Sequence, residues 1–234
     1  MKVVLTRRHH EAENIISFWF EPERPMNYLA GQYIEMHLPH SNPDDRGIKR
    51  WFTFSSSPSD APLVSITTKF NDKSSSFKAA LKNLKPGDMV DMSEPMGDFV
   101  LPKDPSIPLV FVAGGIGITP FHSIVKWLKD TKQERDIHFV YSVHSEHEMV
   151  FQDLFEHYGL QRSIVVGEPT GRWDGLVGQL NGQRILELAK PADNALIYIS
   201  GPEPMVESFT KDLEKLGIPK AQLVGDFFPG YTSV

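Results

Sequence analysis

The stretch PLVFVAGGIGITPFHSIVKWLKD, residues 108–130, decides how the chain folds. It opens with an unbroken apolar run, the pattern of a parallel strand buried on both faces. Two glycines, one residue and a third glycine follow. Thr119 then stands as a candidate helix N-cap with Pro120 in the first turn. Phe121, Ile124, Val125 and Leu128 repeat at helical spacing and make one apolar stripe. Strand, glycine turn and helix in that order are the opening unit of a parallel α/β sheet.

The chain downstream keeps this rhythm. DIHFVYSV reads as a strand, EMVFQDLFEHY as a helix, SIVV as a strand and GQRILELA as helical. ALIYIS, PMVESFTKDLEKL and QLVGDF continue as strand, helix and last strand. Alternation of this kind predicts a doubly wound parallel sheet. Upstream the rhythm is different. Ile16, Phe18 and Phe20 share one face of NIISFWF, and Ile34, Met36 and Leu38 share one face of QYIEMHL. In LVSITTKF, Val64, Ile66 and Thr68 alternate with Ser65 and Thr67. Period two predicts half-buried antiparallel strands. Turn formers separate them, which suggests a small all-β antiparallel barrel. One helix interrupts the strands at SSSFKAALKNL, with serine caps and a stop at Pro86-Gly87. The three prolines of VLPKDPSIP read as a linker. The expected organisation is a β-barrel domain over 1–103 and an α/β domain over 104–234.

Composition narrows the chemistry. The 234 residues fit one large domain or two modest ones. No cysteine is present, so disulfides, thiolate zinc sites and cysteine-bound iron–sulfur clusters are excluded. No apolar run is long enough to span a membrane, and the start MKVVLTRRHH lacks a signal-peptide core, so a cytoplasmic location is expected. Residues 1–103 hold 13 basic and 13 acidic side chains, and 104–234 hold 11 and 17, which is the whole net charge of −6. No nucleic-acid binder is expected from an acidic balance.

Three segments carry candidate chemistry. GGIGITP offers Gly114, Gly115, Gly117, Thr119 and Pro120 at a strand's carboxyl end. Glycines let backbone approach a ligand there, and a helix N-terminus favours phosphate. Pro120 breaks the GxGxxG dinucleotide pattern, so the turn is a nucleotide site of another kind or a plain chain reversal. SGPEPM repeats the arrangement with Ser200, Gly201, Pro202 and Met205; Ile199 is expected to end its strand, with Met205 already helical. Two such turns could line one crevice, where open sheets bind ligands. In the barrel half, RWFTFSSSP places Arg50, Trp51, Phe52, Thr53 and Ser55 together. Arg50 suits a phosphate, Phe52 a planar ring, and Thr53 a ring heteroatom. Ser74, Ser75 and Ser76 open a helix that could hold an anion.

Together these segments resemble the ferredoxin–NADP reductase superfamily, in particular its flavodoxin-reductase-like members. RWFTFSS fits the family's Arg-x-Tyr/Phe-Ser/Thr flavin motif through Arg50, Phe52, Thr53 and Ser55. TTKF, with Thr67, Thr68 and Lys69, fits the following strand, and SSSFKAALKNLKPGD the pyrophosphate helix. EPMGDF resembles the turn before the linker, with Gly97 in place. GGIGITP and SGPEPM fit the two pyridine-nucleotide loops. Two positions depart: Lys73 replaces a usual glycine, and Ser200 a frequent cysteine.

The resemblance implies bound FAD, with FMN left open, and NADH or NADPH as co-substrate. It implies hydride transfer to the flavin, then electrons to a small redox protein such as ferredoxin or flavodoxin, or to a small-molecule acceptor. Thr53 would act near the reacting flavin atom. One of Phe227, Phe228 and Tyr231 would cover the ring. A free-flavin reductase and a non-catalytic redox-sensing subunit stay open as other readings. NADH is expected over NADPH, because YSVHSEHE lacks Arg or Lys and carries Glu146 and Glu148, while Arg162 and Arg172 lie further on. His144 and His147 lack a third metal ligand and read as a solvated helix start. RRHH at 7–10 reads as a strand end, with a basic patch alongside Arg46 and Lys49 as the other reading.

Overall fold

The computed structural model describes residues 1–71, 74–153 and 159–228. The first half is an antiparallel sheet of six strands: β1 (Lys2–Ala12), β2 (Ile15–Pro22), β3 (Tyr33–His37), β4 (Lys49–Thr53), β5 (Val64–Lys69) and β6 (Met89–Met92). Their order is β4-β3-β6-β1-β2-β5. An antiparallel bridge between Phe54 and Ile66 joins the two edges, so the sheet closes into a barrel and leaves no open edge there. Phe18, Phe20, Ile34, Met36 and Ile66 fill it, all fully or almost fully buried. Helix α1 (Ser76–Asn83) lays Phe77 and Leu81 across one end.

The second half is a parallel sheet of β7 (Leu109–Gly114), β8 (Ile137–Val143), β9 (Gln161–Val166), β10 (Leu176–Val177), β11 (Leu196–Pro202) and β12 (Leu223–Phe228). Its order is β10-β9-β8-β7-β11-β12. α2 (Thr119–Asp130) covers one face, and α3 (Gly182–Ala189) with α4 (Glu203–Lys215) covers the other. Every residue of β7 is buried, as its apolar run requires. The chain leaves β7 toward β8 and β9, then returns to the other side of β7 through β11. The strand order therefore reverses between β7 and β11, and both glycine-rich turns lie at that reversal.

Several local expectations need correction. Thr119 is not the cap of α2. A short 3-10 turn, Gly115–Ile118, leads straight into the helix, and Thr119 already has helical backbone angles. The turn needs a left-handed residue, which Gly115 supplies with φ 51°. β11 does not stop at Ile199 but runs to Pro202, because β12 pairs with it through that residue. The segment at 148–158 forms no helix from Met149 to Gln152; a 3-10 turn, Glu146–Glu148, ends there and Phe151 has φ 56°. Residues 154–158 lie outside the described residues. β5 is buried on both faces, not one: Val64, Ser65, Ile66, Thr67 and Thr68 are all buried. Its hydroxyls pair inside, with Ser17 bonded to Thr67 at 2.7 Å and Ser55 to Ser65 at 2.8 Å. RRHH is no strand end, since β1 runs through it; Arg7 lies over the Trp19 ring and Arg8 donates to the Lys82 carbonyl.

The two halves are joined over a broad seam. Phe99, from the barrel side, packs edge-on against Phe121 and Tyr198. The Pro-rich 100–108 stretch is pinned down, with Tyr198 donating to the Val100 carbonyl and Arg135 to those of Pro102 and Asp104. Lys126 of α2 pairs with Asp60 at 3.1 Å and Asp130 at 2.6 Å. Among the described residues, no helix is long and apolar enough to cross a membrane.

Candidate functional site

β4 is the wall on which the site is built. Its strand alternation sends Arg50 and Phe52 one way, and Trp51 and Thr53 the other. Phe52 leans on Phe77 of α1, with ring centroids 5.9 Å apart. Trp51 stays 57% exposed, with Tyr33 of β3 beside it at 6.4 Å. A cleft open to solvent runs along this wall. Arg50, Trp51, Phe52, Thr53, Thr67, Thr68, Ser75 and Thr119 line it, together with Glu35, Arg46, Lys49, Lys78 and Ile116. Its composition is graded: Arg46, Lys49 and Lys78 supply cations, Thr53, Thr67 and Thr68 line it from β4 and β5, and Ile116 with Thr119 comes from the glycine turn and the start of α2.

Residues 55–57 continue β4 into the seam. Ser55 does not face the cleft. Its hydroxyl bonds to Ser65 and Thr67, and its carbonyl accepts from His122 Nδ1 at 2.6 Å. Burial pushes the His122 pKa down, and the Ser55 carbonyl partly opposes this. Ser123 Oγ donates to the Ser56 carbonyl at 2.6 Å. The predicted flavin motif therefore does two jobs: its first half walls the cleft and its second half anchors α2.

Arg50 sits differently from the simple expectation of a phosphate ligand. Its Nη2 donates to Asp44 Oδ1 at 2.9 Å, and its Nη1 to the carbonyls of Arg46, Gly47 and Lys49. The guanidinium also lies 5.2 Å above the Phe77 ring. Ser75 caps α1 by accepting from Lys78 N, Ser74 donates back to the Asn71 carbonyl, and Ser76 bonds to Asp44. Lys73 lies outside the described residues. Lys69 is held by Glu148 across the seam at 2.6 Å.

The glycine turns interlock behind Ile116 and Thr119. A Cβ on Gly117 would fall 2.2 Å from the Ser200 carbonyl oxygen, and one on Gly114 2.2 Å from Met205 Sδ. A Cβ on Gly201 would fall 2.5 Å from the Met205 methyl. Pro202 stands against Gly114, and Pro120 is buried in the first turn of α2. Ser200 Oγ is completely buried and has no hydrogen-bond partner among the described residues, a donor left over at the strand-order reversal. The cleft's cations, aromatic wall and hydroxyls fit a flavin dinucleotide. The bare turns and the orphan hydroxyl fit a second nucleotide.

Sequence reasoning missed Asp226. Its carboxyl projects from β12 and lies 3.4 Å from Thr53 Oγ1. Burial pushes its pKa up to about 7, and the Thr53 hydroxyl only partly opposes this. Its signal in the sequence was weak, a lone acid in QLVGDF. Glu35 of β3, Arg46 ahead of β4, Lys49 of β4 and Lys78 of α1 also line the cleft; single common charges on a strand or helix carry no signal of a site in the sequence. Phe227 and Phe228 close β12 as backbone, with side chains outside the described residues, as is all of Tyr231. Among the described residues, no cluster of His, Cys, Asp or Glu could hold a metal, and Glu146 near His144 and His147 is engaged by Thr170.

Comparison with known proteins agrees with this geometry. Residues 2–101 match the oxidoreductase FAD-binding domain and residues 111–211 the oxidoreductase NAD-binding domain. Flavohemoprotein A of Dictyostelium discoideum is 29% identical over 99% of this chain and 61% of its own length. The stachydrine N-demethylase reductase subunit of Rhizobium meliloti is 28% identical over 90% of this chain and 61% of its own. The FAD/NAD-binding domain of a Vibrio cholerae nitric oxide dioxygenase superposes with a TM-score of 0.83 at 23% identity, covering 97% of this chain and 98% of that one. The chain spans about 61% of the length of these two curated relatives. Both domain matches, the barrel-plus-parallel-sheet fold and the cleft between them place the chain in the ferredoxin reductase-like family of FAD- and NAD(P)-binding oxidoreductases.

Proposed function

We propose that this chain is the reductase of an electron-transfer system, taking hydride equivalents from NAD(P)H into bound FAD and delivering electrons to a separate one-electron acceptor. The observation that carries this reading is the graded cleft at the meeting of barrel and glycine turns. Arg50, with Arg46, Lys49 and Lys78 beside it in the cleft, would hold the phosphates of FAD, and Phe52 and Thr53 its ring. Bound there, FAD converts a two-electron donor into single electrons; the chain supplies position and electrostatics. Ile116 and Thr119 bring the nucleotide half to the same cavity, so proximity of the two rings is the main contribution. Ser200 Oγ and the bare glycine turns would receive the nicotinamide nucleotide.

The relatives support a protein or haem acceptor. One is named a reductase subunit of a demethylase and another a flavohemoprotein. With about 61% of those chains represented here, the acceptor of this chain would be another protein or another domain. The test is anaerobic. Purified protein should carry about one FAD per chain, and NADH or NADPH should bleach its colour without free flavin. A protein that binds FAD but is never bleached would be a nucleotide-sensing subunit instead. One that turns over only with added, dissociable flavin would be a free-flavin reductase.

A further inference from the structure

Asp44 sets the chain's own carboxylate against Arg50 and the first amide of α1. Its Oδ1 accepts from Arg50 Nη2 at 2.9 Å and from Arg46 N at 3.1 Å. Its Oδ2 accepts from Ser76 N, the first amide of α1, at 3.1 Å. Its own N–H returns to Ser76 Oγ at 2.9 Å, and His40 Nε2 bonds the same hydroxyl at 3.0 Å. Arg50 is thereby packed away, its side chain only 10% exposed. Desolvation pushes the Asp44 carboxyl up, but the bonds from Ser76, Arg46 and Arg50 outweigh it and leave the pKa below the ordinary range.

We infer that Asp44 is an internal competitor for the cofactor's phosphate, and that the 41–47 loop must let go of Arg50 and α1 before a phosphate-bearing flavin can seat fully. This rests on the reading of the cleft as the flavin site. The physical reason is charge. A carboxylate and a pyrophosphate cannot share one guanidinium and one helix N-terminus without costly repulsion between like charges. A guanidinium whose Nη1 is spent on three carbonyls and whose Nη2 is held by a carboxylate offers the phosphate less. Asn42 and Gly47 lie in left-handed conformations, φ 52° and 68°, at either side of Asp44. The loop is thus a defined turn that presents this carboxylate.

The test uses full-length protein stripped of flavin. Binding of FAD, FMN and riboflavin is followed by fluorescence quenching in the wild type, Asp44→Asn and Asp44→Ala. The expected result is about tenfold faster and tighter binding of FAD and FMN in both variants, with riboflavin, which has no phosphate, unchanged. Unchanged or weaker FAD binding overturns the proposal, because Asp44 would then be a positioning residue for Arg50. An equal gain for riboflavin overturns it as well. A measurement without variants stands beside these: in the wild type, FAD should lower hydrogen-exchange protection of the Asp44 and Arg46 amides. Raised or unchanged protection there speaks against release of the loop and overturns it. If no flavin binds the wild type at all, the flavin reading itself falls. If flavins bind but the phosphate makes no difference between wild type and variants, only the role of Asp44 falls.

Discussion

Thr53 at the end of β4 and Asp226 on β12 meet across the seam, with Oγ1 and Oδ2 3.4 Å apart. One comes from the barrel half and the other from the last strand of the nucleotide half. The pair couples a hydroxyl in the cleft to a carboxyl that burial raises to about pKa 7. Above that pH the carboxylate can only accept, so Thr53 donates to it. Below that pH the protonated acid can donate to Thr53, and the threonine hydrogen is free for a ring atom in the cleft.

The sign of the pH dependence follows. A raised carboxyl pKa means the folded protein holds this proton more tightly than the unfolded chain. Stability from Asp226 is greatest at low pH and is lost as pH rises from the ordinary carboxylate range through about 7. Asp226→Asn should therefore gain stability over the wild type at pH 8, by up to about 4 kcal/mol, and show no gain at pH 4. In the wild type, flavin reduction by NAD(P)H should slow as pH passes upward through 7, and Asp226→Asn should flatten that profile. Thermal melts and stopped-flow reduction at several pH values check both. A wild-type profile with no inflection between pH 6 and 8 counts against the coupling.

Thr53 and Arg50 should separate binding from chemistry. Thr53→Ala removes a cleft hydroxyl without touching the cations. It should slow flavin reduction about tenfold, near 1.4 kcal/mol, while flavin affinity stays within about threefold. Arg50→Ala should do the reverse, with flavin loss dominating. Arg50 also holds Asp44 and three carbonyls of its own turn, so this variant loosens the 41–47 loop too. Flavin titration and single-turnover reduction of both variants distinguish the roles, and equal effects on both steps would remove the assignment.

The fold was largely readable because each half advertises a single period. Residues 108–130 gave strand, glycine turn and helix by pattern alone, and the barrel strands gave theirs by alternation. Misreadings arose where tertiary contacts override pattern. Thr119 looks like a cap until the 3-10 turn ahead of it supplies the geometry. β5 looks half-buried until the second half covers its polar face. Phe52 and Thr53 stand out in the sequence because an aromatic ring and a hydroxyl sit beside an arginine, and the fold places both in the cleft. Asp44 and Asp226 do not stand out. Each is a single common acid, and only the folded chain brings one to Arg50 and the other to Thr53.

The interlocked glycine turns give a steric prediction. Gly117 has no room for a methyl group, since the ideal Cβ lies 2.2 Å from the Ser200 carbonyl oxygen and 2.6 Å from Gly201 Cα. Gly117→Ala must therefore push the 115–118 turn away from β11. Arg50, Phe52 and Thr53, the flavin contacts proposed above, all come from β4 of the barrel. The variant should keep its flavin but lose nucleotide binding, with KM for NAD(P)H raised tenfold or more. Flavin content and steady-state kinetics read the two separately. Unchanged KM would mean that the turns do not form the nucleotide site.

The last prediction concerns which nucleotide is used. Recognition of the adenosine ribose in such sheets falls to the residues after the second strand, here the 144–148 loop after β8. Two acids lie there, but the structure gives them different fates. Glu148 is neutralised by Lys69 at 2.6 Å, so it opposes a 2′-phosphate weakly. Glu146 is fixed by the Thr170 amide at 3.1 and 3.2 Å and by the Thr170 hydroxyl. The Thr170 amide is the main cause that holds its pKa below the usual carboxylate range, so its charge persists at neutral pH. Glu146 should then be the residue that disfavours NADPH, and NADH should be the better substrate. Glu146→Gln keeps an acceptor for Thr170 and removes the charge; it should narrow the NADH-to-NADPH ratio of kcat/KM by about threefold to tenfold, in the range set by one nearby charge. Glu148→Gln should leave that ratio nearly unchanged. Arg172 is exposed close to the same turn and could reverse the outcome by reaching a 2′-phosphate. A wild-type kcat/KM tenfold higher with NADPH would show that it does, and would end the case for Glu146.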